Sequence, residues 1–296
     1  MNTDGALQAL IDVPGAAGPA VRAAPAPAAA ALRADCAPAL LSCRGVDVHV
    51  GTRCLVRALD IDIAAGQRWA IVGPNGAGKS SLMLVMAGAR AADAGTVALS
   101  GRPLARWSVG ELAGLRAIVA DRWIDPFATS VLETVAAARF RLHGGRAAPA
   151  QAQAHLDAAR ACLAAVQCDG LGPRDVRTLS RGERQRVAVA AALAQETTLV
   201  LLDEPISHQD PRHQVQLLDA LKVRSGLGLI AALHDINAAA RFATHALLLA
   251  GDGRWFAGPG EEVLTCARLS PLFDTEISQI DLGSHRVFVS TGAQAP

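Results

Sequence analysis

The residues best suited to chemistry in this chain lie together, in the run Gly73, Pro74, Asn75, Gly76, Ala77, Gly78, Lys79, Ser80 and Ser81. The run fills every fixed position of G-x-x-x-x-G-K-[ST], a loop whose glycines let successive backbone N–H groups turn toward one anion. A helix begun at the lysine would aim its positive end at the same point. Lys79 could then reach terminal phosphates, and the Ser80 hydroxyl could ligate Mg²⁺. Lysine is otherwise scarce, since only Lys79 and Lys222 occur. The expected ligand is a nucleoside triphosphate.

A second constellation lies further on, in TLVLLDEPISHQD, residues 198–210. Leu199, Val200, Leu201 and Leu202 are apolar enough to be buried on both sides, yet they run directly into Asp203 and Glu204. A buried carboxylate costs several kcal/mol unless it is paired or meets a metal. With a phosphate loop upstream, Asp203 is expected to hold Mg²⁺, often through water. Glu204 points differently and is expected to orient an attacking water as its proton acceptor. Two acids that merely cap a turn before Pro205 would explain neither the apolar run nor their adjacency.

The third is Leu179-Ser180-Arg181-Gly182-Glu183, which opens the helix pattern VAVAAALA. Locally, Ser180 and Glu183 make a capping box. The stretch TLSRGERQRVAVAAALAQ also resembles the signature motif of ATP-binding cassette (ABC) proteins, and the three motifs stand in that family's order. The resemblance spans about residues 40 to 265. It implies an α/β fold: a P-loop NTPase core with a mixed or parallel sheet, a small antiparallel β subdomain and a helical subdomain. It further implies that two cassettes pair head to tail, with Ser180 and Gly182 of one closing over ATP held by the other. Ser207 and Asp210 match the D-loop that crosses that interface, and His234 matches the switch histidine that contacts the γ phosphate.

Three departures from the family pattern stand out. Asp121 occupies the position of the glutamine that links the metal site to the helical region. It is shorter and anionic, and it is expected to turn from the metal toward an arginine such as Arg122 or Arg116. Where an aromatic residue often stacks on adenine, the chain offers His49 or Val50, and it contains no tyrosine. Arg181 adds a cation to the signature.

Several elements must position these groups. Residues 1–39 are rich in Ala and Pro and are expected to form a disordered leader. VDVHV and RALDIDI alternate as half-buried strands do and predict an antiparallel hairpin turning at Gly51 and Thr52. Arg68 to Val72 reads as a strand entering the loop, with a helix from Lys79 to about Ala89. Residues 122–178 form the expected helical subdomain, in which Ser130 and Glu133 cap one helix and Leu156, Ala159, Leu163 and Val166 share a face of another. Strands are expected at 198–202, 228–233 and 246–250, and residues 266–296 as a C-terminal extension packed on the 40–265 domain.

The formal net charge of +1 argues against a general attraction to nucleic acid. Six cysteines show no paired or zinc-like spacing, as expected of reduced thiols. No apolar run approaches the ~20 residues that cross a bilayer. The segments DEPISHQDPRHQ, ALHDINAAARFATHALLL and AGPGEEVLT are similar to the ATPase subunits of iron-siderophore, haem and cobalamin importers. That likeness implies ATP and Mg²⁺ as cofactors, a homodimer, permease subunits on separate chains, a periplasmic or surface solute-binding protein, and a peripheral place on the cytoplasmic face of the inner membrane. The alternative is a soluble or weakly hydrolysing regulatory cassette not dedicated to transport.

Overall fold

A computed structural model of the chain describes residues 39–121, 128–139, 149–283 and 285–292. The expected leader lies outside them, except for Ala39, which already belongs to the first strand. β1 (Ala39–Val50) and β2 (Arg53–Ala64) form the expected antiparallel hairpin, turning at Gly51 and Thr52. β3 (Arg68–Val72) enters the glycine loop, and α1 (Lys79–Met86) leaves it. β4 (Ala94–Leu99) and β5 (Arg102–Pro103) complete a four-stranded sheet in the order β2-β1-β4-β5.

After α2 (Val109–Leu115) and β6 (Arg116–Val119), the named elements up to the next strand are helical. They are α3 (Val131–Ala137), α4 (Pro149–Ala165) and α5 (Arg181–Ala194). The expected capping boxes are formed at α3 by Ser130 and Glu133 and at α5 by Ser180 and Glu183. On α4, Ala159 and Leu163 are buried, as is Val166 just beyond its end, while Leu156 is half-buried. Residues 122–127 and 140–148 of the expected helical region lie outside the described residues.

β7 (Leu199–Asp203), α6 (Pro211–Lys222), β8 (Gly228–Ala232), α7 (Ile236–Phe242), β9 (His245–Leu249) and β10 (Trp255–Pro259) follow. They join β3 and β6 in a six-stranded sheet ordered β10-β9-β3-β8-β7-β6. Its strands pair in parallel except for β10, which runs antiparallel to β9. A strand of such a sheet alternates its side chains between two covered faces. Leu199 and Leu201 accordingly join the core shared with the antiparallel sheet and α1, while Val200 and Leu202 join the core under α5, α6 and α7. All four are essentially inaccessible, and burying each side chain contributes about 1.5–3 kcal/mol.

The chain closes with α8 (Gly260–Val263), α9 (Cys266–Phe273) and a hairpin of β11 (Glu276–Leu282) and β12 (His285–Gly292). Ile277 and Phe288 reach the second core, and Asn237 of α7 exchanges two hydrogen bonds with the Phe288 backbone, at 2.7 and 3.0 Å.

Candidate functional site

The C-terminal ends of β3, β7 and β8 bring the expected residues to one place. Between β3 and α1, Gly76 (φ 74°) and Gly78 (φ 101°) take left-handed backbone that side chains disfavour. Gly73 has no room for a side chain, because a Cβ there would stand 2.4 Å from the Leu249 carbonyl oxygen at the end of neighbouring β9. The loop therefore wraps tightly round the start of α1. Lys79 is buried and curls back, its Nζ donating to the carbonyls of Gly73 at 2.7 Å and Pro74 at 3.1 Å. Burial lowers its pKa, and the nearby Glu204 and Asp203 charges oppose that shift.

A cavity of about 440 Å³ opens over this loop. Asn75, Gly76, Gly78, Lys79, Ser80 and Ser81 line one side, and Glu204 and His234 face them. Glu204 holds a left-handed φ of 50°, an uncommon conformation for a non-glycine residue and one that concentrates at functional sites. Its Oε1 contacts His234 Nε2, and its Oε2 accepts from the Ser207 hydroxyl at 2.9 Å. His234 lies two residues beyond the end of β8 and Ser207 lies in the turn after β7, so the carboxylate is held from two elements.

The two adjacent acids are driven in opposite directions. Burial pushes the Asp203 carboxyl up, helped by the Glu204 and Asp121 charges and opposed by a hydrogen bond from Ser80 and the charge of Lys79. Its Oδ1 is buried and has no hydrogen-bond partner among the described residues. Such an oxygen is costly unless a cation satisfies it. Burial also pushes Glu204 up, but hydrogen bonds from His234 and Ser207, with the His234 and Lys79 charges, outweigh it and leave Glu204 below the usual carboxylate range. Neighbouring groups whose environments separate them in this way take different chemical roles.

The signature residues lie at the first turn of α5. Ser180 caps it, its backbone N–H donating to Glu183 Oε2 at 2.8 Å, and Leu179 before it is buried. Gly182 packs on the turn after β7, where a Cβ would come 2.8 Å from the His208 carbonyl oxygen. Asp210 caps α6, accepting from the His213 N–H at 2.9 Å. Asp121 has found an arginine, but the one the structure supplies is Arg181, whose Nη2 lies 3.1 and 3.4 Å from its carboxylate oxygens. The expected Arg122 lies outside the described residues. Two departures from the family pattern, 60 positions apart, thus pair with each other.

Other residues at the site carry no signature in the sequence. Arg53 and Leu55 line the cavity beside Val50. Gln185, buried on α5, donates to the carbonyls of Asp203 at 3.3 Å and Glu204 at 3.5 Å, tying the signature helix to the acid pair.

Comparison with known proteins agrees with this geometry. Residues 56–207 match the family described as ABC transporter. The chain is 36% identical over 240 residues to the hemin import ATP-binding protein HmuV of Streptomyces coelicolor, covering 80% of this chain and 84% of that one. It is 38% identical over 234 residues to the protein of the same name from Rhodopseudomonas palustris, covering 76% of this chain and 84% of the relative. Among solved structures it resembles a metal-chelate type ABC transporter in an inward-facing conformation, with a TM-score of 0.71 at 24% identity over 86% of this chain and 97% of that one. It also resembles a dimeric ATP-binding cassette in a post-hydrolysis state with ADP and Pi, at a TM-score of 0.64 and 22% identity over 74% of this chain and 98% of that one. These structural likenesses speak to the fold. With the phosphate loop, the acid-ended strand and the signature helix in place, the chain belongs to the ABC transporter family and is an ATP-binding cassette ATPase.

Proposed function

We propose that this chain is the ATP-hydrolysing subunit of an importer for haem or a related metal chelate of the iron-siderophore or cobalamin type. The observation that carries the reading is the single cavity on which Lys79, Ser80, Glu204 and His234 converge. The hemin-import names of the relatives support the cargo, and the siderophore and cobalamin classes share its chelate chemistry.

ATP lies with its phosphates on Gly73 to Ser81. Ser80 and Asp203 would hold Mg²⁺, because the Ser80 hydroxyl and an Asp203 Oδ1 that has no partner among the described residues supply hard oxygen donors in a place where anionic charge is costly. The ion would offset charge on the phosphate oxygens. Glu204 orients the attacking water and takes its proton. While His234 donates to Glu204, the carboxylate stays ionised but weakly basic. A γ phosphate that draws His234 to itself removes that hydrogen bond, so basicity rises when substrate is in place. The presence of both groups on the cavity favours a working ATPase over a regulatory cassette that scarcely turns over.

Two copies act head to tail, with Ser180 and Gly182 of one closing over the ATP of the other and Ser207 and Asp210 lying at the junction. The pair works on the cytoplasmic face of the inner membrane with permease subunits on separate chains and a solute-binding protein outside. No helix among the described residues is long and apolar enough to cross a membrane, so the permease contributes the transmembrane path. Co-expression with the permease and assay of haem uptake by vesicles tests the reading. Uptake should require ATP and fail with Lys79→Ala. Uptake indifferent to that change, or a complex with no ATPase activity, would overturn it.

A further inference from the structure

The cavity has a second end, formed by the β1–β2 hairpin. Val50 and Arg53 face each other across its turn, with Leu55 beside them, and all three line the cavity. Among the described residues, no Phe, Trp or Tyr lines it, and the imidazole of His234 lies at the phosphate end against Glu204. His49, one of the two residues expected to meet a base, does not line the cavity and lies toward Arg90 and Asp93. Its N–H donates to Asp93 Oδ2 at 2.7 Å, its carbonyl accepts from Arg90, and its ring stands 3.8 Å from the Asp93 carboxylate. Val50 offers apolar surface without a plane.

Arg53 is held in position. Its Nε donates to the Gly251 carbonyl at 3.0 Å. Gly251 leaves the guanidinium little freedom behind it, since a Cβ there would stand 2.9 Å from Ala77 Cα of the phosphate loop and 3.2 Å from Arg53 Nη2. The same glycine therefore backs both the loop and the arginine. The Nε bond lies in the guanidinium plane and uses one of its five N–H groups, so the bond itself occupies neither face.

We infer that Arg53 is the nucleobase-contacting residue, its guanidinium plane stacking on the base whose triphosphate lies in the loop. The inference rests on the ATP-binding reading and goes beyond it by assigning base recognition. A guanidinium is planar, permanently charged and weakly hydrated, and it stacks on aromatic faces. Its neighbours Val50 and Leu55 are apolar, which suits the face of a base and would not suit a phosphate. The loop N–H groups and Lys79 already serve the phosphate end. A plane reads the π face common to every base and not the hydrogen-bonding edge, so adenine and guanine are separated weakly.

The test is the dissociation constant of ATP, GTP and inorganic tripolyphosphate, each with Mg²⁺, for the full chain and its Arg53→Ala, Arg53→Lys and Arg53→Tyr variants. The unaltered chain should bind ATP and GTP within about threefold of each other. Arg53→Ala should weaken both nucleotides about two- to tenfold, the scale of a cation over a π face, while leaving tripolyphosphate unchanged. Arg53→Lys keeps the charge without the plane and should behave like Arg53→Ala, whereas Arg53→Tyr should retain nucleotide affinity. Unaltered nucleotide affinity in Arg53→Ala or Arg53→Lys would overturn the inference. So would an equal loss of tripolyphosphate, which would make Arg53 a phosphate ligand, or a preference for ATP above about tenfold. Failure of the unaltered chain to bind either ATP or tripolyphosphate would strike the ATP-binding reading beneath it instead.

Discussion

Replacing Asp121 by Asn removes one partner of an ion pair that ties the end of β6 to the first turn of α5. The magnitude follows from the geometry. A single Nη2 serves both carboxylate oxygens, and the side chains of Asp121 and Arg181 are 34% and 54% exposed. Pairs with such access to water are worth about 0.2–1 kcal/mol and weaken as salt screens them. A double-mutant cycle of Asp121→Asn and Arg181→Gln, followed by urea unfolding, should therefore give a coupling of at most about 1 kcal/mol that shrinks in high salt. The same pairing commits Asp121 to Arg181, in keeping with the proposal that Asp203 and Ser80 serve the metal. Hydrolysis by Asp121→Asn or Asp121→Gln should accordingly keep its Mg²⁺ dependence and proceed at least at the unaltered basal rate, with altered stimulation by the permease. Collapse of Mg²⁺ affinity in a folded Asp121→Asn variant would make Asp121 a direct ligand and overturn its commitment to Arg181. A salt-insensitive coupling above about 2 kcal/mol would refute the surface-pair estimate.

Lys79→Ala should weaken ATP binding itself, and unchanged affinity in an equilibrium titration would contradict the phosphate loop. Gly182→Ala places a methyl group 2.8 Å from the His208 carbonyl oxygen and should destabilise the fold by about 1–3 kcal/mol, measured by urea unfolding. Glu204 is held below its unfolded value near 4.5, so it contributes stability above that pH and loses it as pH falls through the folded pKa. The stability gap between the unaltered chain and Glu204→Gln should therefore narrow only in that acid range, and a gap that closes nearer neutrality would mean that the His234 and Ser207 bonds do not dominate.

The parts of this architecture that follow local rules were legible in the sequence. Arg68 to Val72 runs into glycines that only a tight anion loop requires, and the structure places β3 over the same residues. The capping boxes at Ser130 and Ser180 lie within single four-residue patterns and formed as expected. Long-range contacts left no such trace. Arg181 lies 60 positions from Asp121, and nothing in either segment names the other; nearer arginines were the natural expectation. Arg53 bonds to Gly251 across 198 positions, a contact that depends on how the hairpin meets the end of β9. The opposed behaviour of Asp203 and Glu204 also needed the fold, because adjacency in sequence says nothing of which acid His234 would reach.

The proposed function makes Glu204 the base of an ATPase that closes as a pair. The direct measurement is single-turnover ATP hydrolysis by Glu204→Gln, with ATP binding and dimer content determined on the same sample. Glutamine keeps the side chain's shape and an acceptor oxygen but does not take the proton. Hydrolysis should slow by about 10²-fold or more while ATP still binds and dimers accumulate. Hydrolysis at the unaltered rate, with no ATP-bound dimer trapped, would contradict the claim.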